Sequence, residues 1–213
     1  MNTILIIIIL LNVLVSYKAF NDVLFFRKYE FHIGSIRAGE QFRLFSSAFL
    51  HVDLTHLLFN MITLFFFAPV VLKNLGNFQF LMVYVCSLLT GNLLTYVFHQ
   101  NEYHYRAVGA SGAVTGVLYA AILLRPDMDL FFFFIPIPIK AYVFGIAYLL
   151  YSIYGMKARR DNIGHTAHFG GAIGGYALTL LYKPALLTEN TQMVLLLAVP
   201  IVILFVLAKM GKL

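Results

Sequence analysis

The chain has 213 residues, 61% of them hydrophobic and only 11% charged, a balance that excludes a water-soluble domain with a charged exterior. It reads as an all-α polytopic membrane bundle filling residues 1–213 as a single membrane domain. The formal charge of +6 comes from cations scattered over loops with no patch among them, which argues against a nucleic-acid partner and for contact with a lipid bilayer surface.

A spanning helix needs about 20 mostly apolar residues. The first candidate, 3–20, begins without a basic leader or a small-residue cleavage site, and is expected to be retained as a span rather than removed as a signal peptide. Residues 21–53 mix charges (Arg27, Lys28, Glu30, Arg37, Glu40, Arg43) with aromatics (Phe25, Phe26, Tyr29, Phe31, Phe42, Phe45), and a loop of that length and character predicts short helices in the membrane interface. The second span, 54–75, places His56, Asn60 and Thr63 at i, i+4 and i+7, one polar stripe expected to face the protein interior. Hydrogen-bonding glue between helices is the plain reading of such a stripe. The third span, 77–98, holds Cys86, the only cysteine, so no intramolecular disulfide can form and the thiol is expected to pack as an apolar group.

The fourth stretch, 109–124, is short. It opens on Gly109-Ala110-Ser111-Gly112, with Gly109 permitting a tight backbone entry. Ser111 falls in the first helical turn, where free N–H groups and the helix dipole favour a developing oxyanion. Gly112, Gly116 and Ala120 form a ridge of small residues, with Ser111 and Thr115 on another side. Pro136 and Pro138 mark the entry to a fifth span, 136–156. The sixth, 163–182, sets Gly164, His168, Gly171 and Gly175 on one face, a surface for close helix contact that aims His168 at a neighbour. His165 is expected nearer the water, at a rim or packed behind the residues of the site. A seventh span covers 191–209.

A hydroxyl and an imidazole inside hydrocarbon each call for a polar partner, and a serine with a histidine partner is a nucleophile with its base. Two other chemistries find less support. His51, His56, His165 and His168 invite a zinc reading, but no His-Glu-x-x-His is present and no acid lies within a span. No cofactor or metal is expected. An ion-coupled transporter usually buries a carboxylate or repeats its halves, and neither is visible.

Three motifs together resemble the rhomboid family of intramembrane serine proteases: His51-Val-Asp-Leu-Thr-His56-Leu-Leu-Phe-Asn60, Gly109-Ala-Ser111-Gly112, and Ala167-His168-Phe-Gly-Gly171-Ala-Ile-Gly-Gly175. Arg43 matches the arginine of a Trp-Arg element in that family's first loop, with Phe42 in place of the tryptophan. The resemblance covers about residues 1–182 and implies a six-helix core, with the segment 190–209 as an additional transmembrane helix. It implies Ser111 as nucleophile and His168 as base, a dyad with no buried Asp. His56, Asn60 and the Ser111 N–H would form the oxyanion hole, with Gly109 beside them. It further implies a water-filled cavity above Ser111 and substrates that are transmembrane segments of other membrane proteins. Thr115 departs from the pattern, standing where an aromatic often supports the imidazole. A non-proteolytic relative that binds membrane clients is the alternative.

The expected location is the plasma (inner) membrane of a bacterium. Orientation divides the arguments. With the amino terminus inside, 4 of the 15 basic residues (Lys73, Arg125, Lys140, Lys183) lie inside and 11 outside, including Arg159 and Arg160, so charge alone favours the reverse. The resemblance implies a cytoplasmic amino terminus and a site toward the exterior.

Overall fold

The computed structural model describes residues 2–132, 135–158 and 163–213. Among them seven long helices follow the apolar stretches: α1 (Thr3–Asn21), α2 (Leu54–Leu75), α3 (Asn77–His99), α4 (Ser111–Leu124), α5 (Ala141–Ala158), α6 (His165–Tyr182) and α7 (Thr191–Lys209). α1, α2, α3 and α7 are long and apolar enough to cross a bilayer. α4 has 14 residues, about 21 Å at 1.5 Å per residue, well short of a ~30 Å hydrocarbon core. α6 is diluted by four glycines and two histidines, which a helix enclosed by protein tolerates and a lipid-facing one does not.

The long first loop folds into the expected short helices, Val23–Tyr29, Ile33–Arg37 and Arg43–Ser46, followed by a 3₁₀ turn at Ser47–Phe49. A two-residue strand β1 (Phe31–His32) pairs antiparallel with β2 (Arg106–Ala107), tying this loop to the segment before α4. Arg43 holds the loop together. It is 7% exposed, its Nη1 donates to the carbonyls of Arg27 and Glu30, and its Nε donates to Glu40. Glu30, also buried, accepts from Arg27 and Arg106, so the two acids answer three of the loop cations.

One boundary differs from expectation. Pro136 and Pro138 do not open a helix. They lie in strand β4 (Ile135–Lys140), antiparallel to β3 (Asp129–Phe132), and α5 starts at Ala141. Proline has no N–H to give a helix interior, but an edge strand accepts it. The salt bridge from Lys140 to Asp129, 2.8 Å long, closes the open end of this hairpin. Arg159 and Arg160 lie outside the described residues.

The bundle is arranged around α4, in which every residue from Gly112 to Leu123 is buried. α6 lies against it on one side and against α3 on another, and glycine makes both approaches possible. A Cβ on Gly116 would stand 2.7 Å from the Gly171 carbonyl oxygen, and one on Gly91 of α3 would stand 2.8 Å from the Ala167 carbonyl oxygen. Gly170 and Gly174 give α6 a second close face, toward Thr90 and Ser87 of α3. Thr90 Oγ1 donates across that seam to the Gly170 carbonyl at 2.8 Å.

Candidate active site

The entry to α4 is held by backbone and histidine together. Gly109 has φ 131°, a conformation that a side chain rarely adopts. A Cβ there would also meet the His56 ring, at 2.6 Å from Cε1 and 2.8 Å from Nε2. Its N–H donates to the Ser47 carbonyl at 3.0 Å. The next N–H, of Ala110, donates to His51 Nε2 at 3.4 Å. His51 Nδ1 is 2.8 Å from Ser16 Oγ, and that hydroxyl donates to the Phe49 carbonyl. Nε2 accepts and the serine proton is already committed, so His51 carries its proton on Nδ1. Burial, with His56 nearby, pushes its pKa down to about 3. His51 is thus a neutral brace that fixes the loop before Ser111.

Ser111 is the first residue of α4 and is half-buried. The N–H groups of this first turn have no partner within the helix, which is the general condition of a helix start. On α2, Asp53 caps the helix through the His56 N–H. Asn60 is buried, and its Nδ2 donates to the His56 carbonyl at 3.1 Å. Thr63, half-buried like His56, donates its hydroxyl to the Phe59 carbonyl at 2.7 Å, the same backward bond that Asn60 makes. Of the three polar side chains on this face of α2, Asn60 is the buried one.

His168 lies in the first turn of α6 and is 6% exposed. Gly112, next to Ser111, packs against Ala167, next to His168; a Cβ on Gly112 would stand 3.2 Å from the Ala167 carbonyl oxygen. The first turns of α4 and α6 are therefore neighbours, and His56 rests on Gly109 at the same end. Gly171 and Gly175 carry the expected contact with α4, whereas Gly164 serves as the N-cap of α6, where a Cβ would stand 3.8 Å from Ala167. His165 does not sit at a rim but behind His168, with the two ring centroids 6.1 Å apart. It is 4% exposed, with its ring against Gly155 of α5, because that glycine leaves the space for an imidazole.

The ring beside His168 comes from a helix that sequence reasoning did not single out. Tyr148 of α5 stacks on it, with centroids 5.4 Å apart at 28°, and its hydroxyl lies 2.9 Å from His168 Nδ1. Phe144 stacks in turn on Tyr148. Thr115 supplies no ring, and its Oγ1 donates to the Ser111 carbonyl at 2.7 Å. The aromatic contact thus reaches His168 from α5, leaving position 115 free to carry a hydroxyl. No group of three or more His, Cys, Asp or Glu side chains that could hold a metal ion occurs among the described residues.

A helical membrane protein with a short, enclosed α4 and polar side chains gathered at one end of α2, α4 and α6 is the class that this fold and site define. The family model described as Rhomboid domain matches residues 38–185, and the chain belongs to the rhomboid family. It is similar to YdcA of Bacillus subtilis (strain 168), 36% identical over 67% of this chain and 68% of that protein. It is also similar to RHOMBOID-like protein 12, mitochondrial, of Arabidopsis thaliana, 29% identical over 75% of this chain and 52% of that one. Rhomboid protease GluP of Bacillus subtilis is 29% identical over 66% of this chain and 26% of its own length. The chain thus spans about half of the first of the mitochondrial relatives and about a quarter of GluP.

Proposed function

We propose that the chain is an intramembrane serine endopeptidase that cuts peptide bonds in or near transmembrane segments of other membrane proteins. Ser111 Oγ attacks the substrate carbonyl while its proton passes to His168 Nε2. His56, Asn60 and the Ser111 N–H, with Gly109 holding the turn, receive the charge on the tetrahedral oxygen. Collapse breaks the C–N bond, and the proton on His168 leaves with the amine. Water, deprotonated by His168, then hydrolyses the acyl-enzyme and restores both side chains. The observation that carries this reading is the contact of Gly112 with Ala167, which sets the first turns of α4 and α6 side by side.

The shortness of α4 supports a water-filled cavity above Ser111, since a helix of about 21 Å starts below one membrane surface. An unwound or helix-breaking stretch favours a substrate, because an intact helix keeps its carbonyls in its own hydrogen bonds. Residues 1–182 form the core in this reading, and 190–209 an added helix. The amino terminus is cytoplasmic and the site faces the exterior; ion pairs on Lys18, Arg27, Arg43 and Arg106 support discounting these cations in the charge balance. The plasma membrane of a bacterium is the finer placement, supported by the Bacillus relatives and testable by membrane fractionation, since other relatives are named mitochondrial.

The test compares parent, Ser111→Ala and His168→Ala in liposomes carrying a transmembrane substrate, together with labelling by a fluorophosphonate. Cleavage and labelling of the parent alone support the reading. Cleavage by both variants at the parent's rate overturns it, and binding of the substrate without cleavage by any of the three favours a client-binding protein.

A further inference from the structure

The ribbon of β3 and β4 is apolar on the side that a soluble hairpin turns to water. Residues 130–139 run from Leu130 to Ile139 without a polar side chain, and the only charges between 129 and 140 are Asp129 and Lys140 at the base. These two neutralise each other in a 2.8 Å ion pair. Successive side chains of a strand point to opposite faces. Leu130 and Ile139 are cross-strand partners, both half-buried, and Leu130 packs on the bundle core. Phe131 and Pro138, one residue along on each strand, therefore face away from the bundle. Phe131 is 72% exposed, and Pro138 is exposed beside it. A hairpin with one face on protein and the other in water carries polar residues on the second. This one carries a phenylalanine and a proline.

The ribbon joins the end of α4 to the start of α5. α5 has 18 residues, about 27 Å, close to a ~30 Å hydrocarbon core. Its first residue, Ala141, and the base of the ribbon thus meet one bilayer surface, at the end of the bundle away from Ser111. Hydrocarbon itself does not accept the ribbon, because the outer edges of two strands carry unpaired backbone groups. Pro136 and Pro138 soften that conflict. Proline has no N–H, and alternate residues of a strand share one edge, so the outer edge of β4 loses two donors and is closed to pairing with a further strand. We infer that the outward face of the β3–β4 ribbon lies in the headgroup–acyl boundary of the lipid leaflet opposite the site. Phe131 and Pro138 enter the edge of the acyl layer, and the Asp129–Lys140 pair stays among the headgroups, the division that an interfacial amphipathic segment makes. The surface continues onto α5, where Val143 is exposed. Anchored in this way, the ribbon holds the junction of α4 and α5 at one depth. α4, buried from Gly112 to Leu123, has no lipid contact along that stretch with which to do so.

The chain contains no tryptophan, so Phe131→Trp in the full chain is a lone fluorescent reporter. The variant is reconstituted in liposomes, diluted so that copies do not meet. Its emission is read with phospholipids brominated at successive depths along the acyl chain, and with iodide in the water on both sides. Expected are blue-shifted emission, quenching that peaks for bromines about 5–10 Å below the headgroups, and little quenching by iodide. Phe205→Trp, at an exposed position of α7, supplies the reference for a lipid contact. Pro138→Trp, on the neighbouring strand, is expected to repeat the result of Phe131→Trp, and melting temperatures report that each variant is folded. Quenching by iodide with no response to any brominated lipid would place the ribbon in water and overturn the inference. Protection from both quenchers overturns it as well, by showing that protein covers the ribbon, and so does quenching that peaks at the bilayer centre.

Discussion

Gly171→Ala probes the seam on which the site depends. A methyl group there would stand 2.6 Å from the Gly112 carbonyl carbon and 3.0 Å from its Cα, with the carbonyl oxygen closer still. Carbon atoms in good contact are about 3.5 Å apart, so α4 and α6 have to part by roughly 1 Å. The obstacle is backbone on both sides, and no rotamer change relieves it. Overpacking of this kind costs about 1–3 kcal/mol, which lowers the melting temperature without abolishing the fold. The functional loss is larger, because a displacement of about 1 Å between reacting groups costs on the order of 100-fold in rate. The assay pairs cleavage in liposomes with thermal melting in detergent. Parental rate and parental melting temperature in Gly171→Ala would refute the argument that the two helices touch backbone to backbone.

Two further predictions follow from the same end of the bundle. Asn60→Ala is expected to lower kcat by about 10²–10³-fold with little change in KM, as loss of an oxyanion donor does; steady-state kinetics decide, and an unchanged kcat removes Asn60 from that role. His51, buried with a pKa near 3 against 6.5 when unfolded, binds a proton only in the unfolded chain across that window. Its contribution to stability is therefore complete above pH 6.5 and declines as the pH falls toward 3, by up to about 1.4 kcal/mol per pH unit. Melting curves from pH 7 to 4 should show a shallower acid slope in His51→Gln than in the parent, and equal slopes would contradict the assignment of a neutral, buried imidazole.

Much of this architecture was readable in the chain itself. Long apolar runs locate helices because a bilayer tolerates little else, and spacings of four and seven place Gly112, Gly116, Gly171 and Gly175 on facing surfaces. The second contact of α6, through Gly170 and Gly174, was visible as a pair of small residues four apart but carried no sign of which helix it would meet. Tyr148 was not legible at all. Its helix is apolar all round, one tyrosine among several, and only tertiary packing shows which of them reaches His168. His165 was half legible for a related reason: its position near a helix start left a rim and a place behind the site both open, and the space that decides for the second is made by Gly155 on another helix. The hairpin at 129–140 was obscured because an apolar run broken by prolines reads equally as a helix entry or an edge strand.

The enclosure of α4 has a consequence for the setting in which the protein works. Bilayers differ in thickness, and a mismatch is absorbed by tilt or bending of the helices that touch acyl chains. Here those are the outer ones, which present Leu14, Phe59, Phe66, Val202 and Phe205 outward. The helix bearing Ser111 is buried from Gly112 to Leu123, so the strain of a thin or thick host membrane falls on its surroundings. The chemistry is insulated from the solvent that carries it, and the periphery is free to adapt to a new lipid without disturbing the centre.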